Sequence, residues 1–132
     1  MNFEEAKSKI ISRITTTIEV FSQEKENFLS AIQEDHPTIA SALKFGTERM
    51  LNHEHQMIIL KNRILPGMEG AATKQELQDQ IEFFTDELTR DLLELRPWEH
   101  NSTSAMCNLI SRAEASATAE VVRILESLDS GL

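Results

Sequence analysis

The sequence predicts an all-α fold, an antiparallel up-down-up-down bundle of four helices. Three observations carry this reading. Ile39, Leu43, Gly46, Met50, His53, Met57, Leu60 and Ile64 follow one another at alternating steps of four and three. That spacing returns side chains to one face of a helix packed lengthwise against its neighbours. Gly (4) and Pro (3) are scarce and Tyr is absent, which argues against a turn-rich β fold. Breaks at Asp35-His36-Pro37, Leu65 to Gly70 and Arg96-Pro97 divide the chain into four stretches. Short connections between such stretches favour neighbours running in opposite directions.

Each stretch has its own signals. The first helix spans about 3–33, with Asn2 as its N-cap and Glu4 and Glu5 at the positive end of its dipole. Phe3, Ile10, Ile14, Phe21 and Phe28 form its inward stripe, flanked by Ile18 and Ile32. The second spans about 37–64, Pro37 fitting a first helical turn that needs no backbone donor. Leu65-Pro66-Gly67-Met68-Glu69-Gly70 reads as a loop, because Pro-Gly is a turn dipeptide. Thr73 and Glu76 have capping-box spacing, so the third helix covers about 74–95, with Leu77, Ile81, Phe84, Leu88, Leu92 and Leu95 inward. The fourth opens after Asn101, Ser102 or Thr103, spans about 103–128 and stops before Gly131. Its inward face is Met106, Ile110, Ala113, Ala117, Val121, Ile124 and Leu128. The small residues from Ala113 to Ala119 allow close approach of a neighbour, or leave room for bulky rings such as Phe83 and Phe84.

At 132 residues and 40% hydrophobic content, residues 1–132 are expected to form one domain around one core. No apolar run is long enough for a membrane span. The acidic start, Met1-Asn2-Phe3-Glu4-Glu5, does not resemble a secretory signal, so a cytoplasmic location is expected. Cys107 has no partner for an internal disulfide, and beside Met106 and Leu109 it reads as a small buried hydrophobe.

The net charge of −9 is uneven. Residues 37–65 carry four basic and two acidic residues, whereas residues 66–132 carry five basic and thirteen acidic. A field of this sign repels phosphates and argues against direct nucleic-acid binding. It favours a protein partner with a basic surface, or simply serves solubility.

The candidate sites are few. His53 and His55 are two residues apart, about 200° around a helix, so they cannot chelate a metal together. His53 is expected near the core, hydrogen-bonded to a neighbouring helix, and His55 exposed. The Glu-x-x-His pairs of di-iron bundles and the His-Glu-x-x-His zinc motif are absent. Histidine phosphotransfer bundles carry Lys and Gly shortly after their exposed His, and the run Gln56-Met57-Ile58-Ile59 after His55 departs from that pattern.

Glu76, Asp79, Glu82 and Asp86 share one face of the third helix, with Glu87, Asp91 and Glu94 on the next. Glu76-Leu77-Gln78-Asp79 resembles the Glu-x-x-Asp half of the MazG-type nucleotide pyrophosphatases. That resemblance implies a magnesium-dependent hydrolase holding its metal with these carboxylates. The other half of the family's pattern, Glu-x-x-Glu, does not occur in residues 1–65.

The leading expectation is therefore a non-enzymatic adaptor, inhibitor or chaperone-like module. It would bind a basic protein through Asp79, Glu82 and Asp86, with an apolar anchor at Trp98 or at the off-seam residues Leu51, Ile58 and Ile59. Those off-seam residues also suggest a homodimer. The competing readings are the magnesium-dependent pyrophosphatase and a small-molecule or metal sensor with a pocket near His53. No catalytic residue, metal ligand set or cofactor is assigned.

Overall fold

The structure is a computed structural model that describes residues 2–33, 39–95 and 105–131, with side chains outside 31–45 and 105–106. Helix α1 spans Phe3–Gln33 and α2 spans Ile39–Ile59. A single π-helical turn, Leu60–Ile64, carries α2 directly into the short α3, Leu65–Glu69. Helix α4 spans Lys74–Leu95 and α5 spans Ala105–Ser130. The described residues contain no strand, and their helices pack as an all-α bundle. The expected starts near Pro37 and Thr103 lie outside the described residues.

Local chemistry sets the visible ends. Asn2 Oδ1 accepts the Glu5 N–H at 2.9 Å and opens α1. Thr73 Oγ1 accepts the Glu76 N–H at 3.1 Å, and the Glu76 carboxylate turns back to the Ala72 N–H. This is the expected capping box, displaced by one residue on its return arm. At the far end of α5 the Gly131 N–H reaches the Leu128 carbonyl.

The expected loop from Leu65 to Gly70 is a correction. The helix continues through Pro66 and Gly67 to Glu69. Leu65 donates its N–H to Leu60 O, five residues back, so the helix is widened just where Pro66 enters. Pro66 then occupies the first turn of α3, where a missing N–H costs nothing. Gly67 is no turn residue either. A Cβ there would lie 2.8 Å from both Gln80 Oε1 and Phe84 Cε2, so glycine is what lets α3 approach α4.

The core follows from these elements. Ile10 and Ile14 of α1 meet Leu60, Ile64 and Met68, then Leu77, Ile81 and Leu88 of α4, and Val121 and Leu125 of α5. Fully burying one such side chain stabilises a fold by about 1.5–3 kcal/mol. An exposed ion pair contributes roughly 0–1 kcal/mol. The Lys25–Glu54 and Arg112–Glu48 bridges are therefore minor beside the core.

Pairs of contacts fix the packing order. Along α1 residue numbers rise as those of the α2–α3 stretch fall. Lys7 Nζ donates to the Glu69 and Ala71 carbonyls, Phe21 stacks on His53, and Phe28 lies against Gly46. Helix α5 packs along both α4 and α2. Arg112 meets Glu48 near one end of α2, while Ser127 accepts from Arg13, beside the α3 end. These adjacent helices, α2 and α5, thus run in the same direction. Ala113 and Ala117 are buried here, and their small side chains permit the close approach.

Several expected core residues are elsewhere. Phe83 is 55% exposed and only its edge meets Phe84. Ile110 is exposed, Leu125 is buried in the core, and Cys107 is exposed rather than buried. Gly46 is explained by Phe28, whose ring occupies the space a Cβ would need. Gly46→Leu should lower unfolding stability by about 1–3 kcal/mol through overpacking. The double variant Gly46→Leu with Phe28→Ala should recover part of that loss in a urea titration.

Candidate functional site

The acidic face of α4 is built as the sequence implies. Asp79, Glu82 and Asp86 are all exposed. Asp79 accepts a hydrogen bond from Gln75 Nε2 at 2.9 Å, a contact within its own helix. Tertiary packing adds Glu126 and Asp129 of α5. With Glu82 and Asp86 they line a groove of about 330 Å³ over Ile81 and Thr85. Glu87 and Asp91 are engaged differently, by the Arg63 guanidinium that forks between them. Glu76 is committed to the start of α4. Among the described residues no three His, Cys, Asp or Glu side chains are placed to hold a metal ion.

The apolar candidates divide. Ile58 is 49% exposed and Leu51 is half-buried. Ile59 is a correction: at 4% exposed it belongs to the core beside Leu60 and cannot dock a partner. Its face of α2 is covered because α2 is packed by α1 on one side and α5 on the other. Leu51 and Ile58 belong to α2 and share no helix face with the α4 carboxylates. Trp98 lies outside the described residues.

Phe83 is the residue that sequence reasoning missed as a surface group. It follows Asp79 by four residues and precedes Asp86 by three, so it shares their face. The signal was available, because Phe84 already fills the inward stripe of α4 at Ile81 plus three, and an adjacent ring points about 100° away.

His53 sits where α1, α2 and α5 meet a cleft. Its ring stacks on Phe21 with centroids 4.3 Å apart. Nδ1 lies 2.7 Å from Glu24 Oε2, across to α1. The geometry is not that of a hydrogen bond, since this solvent-shielded oxygen has none among the described residues. The contact is one of charge proximity, and Arg49 stands 3.5 Å from the other Glu24 oxygen. His55 is half-buried rather than exposed.

Burial holds the His53 imidazole below its ordinary value of 6.5, opposed by the Glu24 carboxylate and reinforced by Arg49. Around the cleft stand Glu48, Arg49, Asn52 and Gln56 of α2, with Ser116 and Glu120 of α5. Polar residues at 49, 52 and 56 follow helical spacing beside His53, and that pattern was legible but unread.

Comparison with models of known families, with characterised proteins and with solved structures gives no match. The site is therefore interpreted from its own chemistry. No described helix is long and apolar enough to cross a membrane.

The depressed His53 pKa has a consequence for stability. A group held below its unfolded value contributes fully above that value, and the contribution is lost as pH falls from 6.5 through the folded pKa. The thermal midpoint of the protein should drop between pH 7.5 and pH 5.5. His53→Gln, which cannot titrate, should show a smaller drop over the same window. Equal slopes in the two proteins would remove His53 as the source.

Proposed function

We propose that the chain is a non-enzymatic interaction module that binds a basic protein through the outer face of α4. The observation that carries this reading is Phe83, 55% exposed on the face that bears Asp79, Glu82 and Asp86. A single exposed apolar side chain is ordinary on a protein surface. An exposed ring set among carboxylates, beside a groove that adds Glu126 and Asp129, combines the two parts of a binding epitope. The charges steer a cationic surface into encounter, and the ring supplies an apolar anchor that loses water on contact. Like charges at helical spacing do nothing for the helix itself, so the pattern suits a role outside folding.

Self-association through α2 is compatible with this function. It is supported by Ile58, half-exposed on a helix whose opposite face is filled by the core, with Leu51 two turns away. Light scattering at micromolar concentration should report about twice the 15.0 kDa chain mass, and Ile58→Glu should return it to one. A monomeric wild-type protein would exclude the dimer.

The partner-binding test uses two variants. Replacing Asp79, Glu82 and Asp86 by Asn, Gln and Asn should leave the fold intact, since exposed substitutions cost under about 0.5 kcal/mol each. Association with a protein captured from the native host should slow, and its rate should depend less on salt. Phe83→Ala should instead speed dissociation at an unchanged salt slope. If both variants bind like the wild type, α4 is a solvated face and the proposal fails.

A further inference from the structure

Helix α1 is anchored unevenly along its length. Ala6, Ile10 and Ile14 are each at most 4% exposed and lie in the core with Leu60, Ile64 and Met68. Ile18 still packs against that cluster. Over residues 19–30, about three further turns, no side chain is buried. Val20 and Leu29 are exposed there. This second half of α1 therefore gains little of the apolar burial that fixes the first half. A segment with few buried apolar contacts opens at a lower free energy than the core that carries it.

Among the described residues, the polar and aromatic ties of this half to α2 centre on His53. Phe21 stacks on its ring, and Glu24 stands between it and Arg49. Toward the end of the helix the Phe28 ring lies against Gly46. The solvent-accessible Lys25–Glu54 pair adds little. The His53 side chain itself is only 14% exposed. Glu24 Oε2, 2.7 Å from its Nδ1, is shielded from solvent and has no hydrogen-bond partner among the described residues. A carboxylate oxygen left in that condition opposes docking, because water satisfies it once the helix moves away.

Proton uptake acts on this arrangement. Glu24 of α1 favours an imidazolium at His53, and Arg49 of α2 opposes it. The other charges nearby are paired with one another: Lys25 of α1 with Glu54, Glu48 of α2 with Arg112 of α5, and Glu120 with Arg123 on α5. Burial is the largest influence and also opposes the cation, so the docked ring is held below its ordinary value of 6.5. When α1 moves away the ring regains water and its ordinary proton affinity. Docking is therefore fully supported above pH 6.5 and weakens as pH falls through the docked value. We propose that residues 19–30 form an acid-released strap, which detaches from α2 when His53 takes up a proton while the first half of α1 stays in the core. Release also withdraws Phe21, the α1 side chain that lines the cleft of about 620 Å³. The strap shares no residue with the outer face of α4 and does not depend on the function proposed for that face.

Amide hydrogen exchange of the full-length ¹⁵N-labelled protein at pH 7.5 and pH 5.5 tests the strap. Each rate is divided by that of an unstructured chain at the same pH, which leaves the protection conferred by structure. Residues 19–30 should be less protected than residues 6–14 at both pH values, and should lose protection on acidification. His53→Gln, which cannot take up the proton, should abolish that acid loss. Glu24→Gln removes the charge that favours the imidazolium and should enlarge it, which keeps the test open if His53→Gln does not fold. The proposal is overturned if residues 19–30 and 6–14 share one level of protection, since α1 then opens only with the whole protein. It is equally overturned if the acid loss is absent, if it persists in folded His53→Gln, or if Glu24→Gln leaves it unchanged or smaller.

Discussion

The bundle depends on the widened turn from Leu60 to Ile64. It places both of its ends in the core, at 0% exposure, while carrying the helix past Pro66. A regular α-helix would bring the proline ring against the carbonyl four residues back. The π turn removes that clash and lets Met68 join Leu60 and Ile64 on one buried line. Gly67 then presents bare backbone to Phe84, and Lys7 of α1 reaches across to the Glu69 and Ala71 carbonyls. Three helices are thereby referenced to one segment of about two turns.

The same segment separates two environments. On its C-terminal side Leu60, Ile64 and Met68 lie in the apolar core. On its N-terminal side α2 presents amides, an imidazole and a guanidinium to a cleft. His53 illustrates the balance. Stacking on Phe21 and proximity to Glu24 hold it, while burial disfavours its charged form.

The outer face of α4 and the cleft of α2 differ in the same way. The α4 face combines exposed charge with one exposed ring, and the binding proposed for it would work through encounter and desolvation. The α2 cleft instead gathers side-chain amides, an imidazole and a guanidinium. They lie on different helices, and the groups that build one do not take part in the other.

The all-α class, the extents of α1 and α4 and the caps at Asn2 and Thr73 were legible in the sequence. They depend on periodicity and on hydrogen bonds between residues three or four apart, which a linear pattern records directly. Most of the inward stripe of α4, Leu77, Ile81, Phe84 and Leu88, was legible for the same reason. The acidic face was legible too, since one helix carries it. Other features were decided by contacts between residues far apart in the chain. Pro66-Gly67 reads locally as a turn, yet Phe84 and the π turn make it helical. Ile59 reads as surplus surface, yet the assembled core buries it. Gly46 reads as an anomaly until Phe28 fills its place. The parallel packing of α2 on α5, the groove that Glu126 and Asp129 share with α4, and the cleft among α1, α2 and α5 exist only once the helices are assembled. Periodicity fixes which side of a helix is buried, but only packing decides which neighbour buries it.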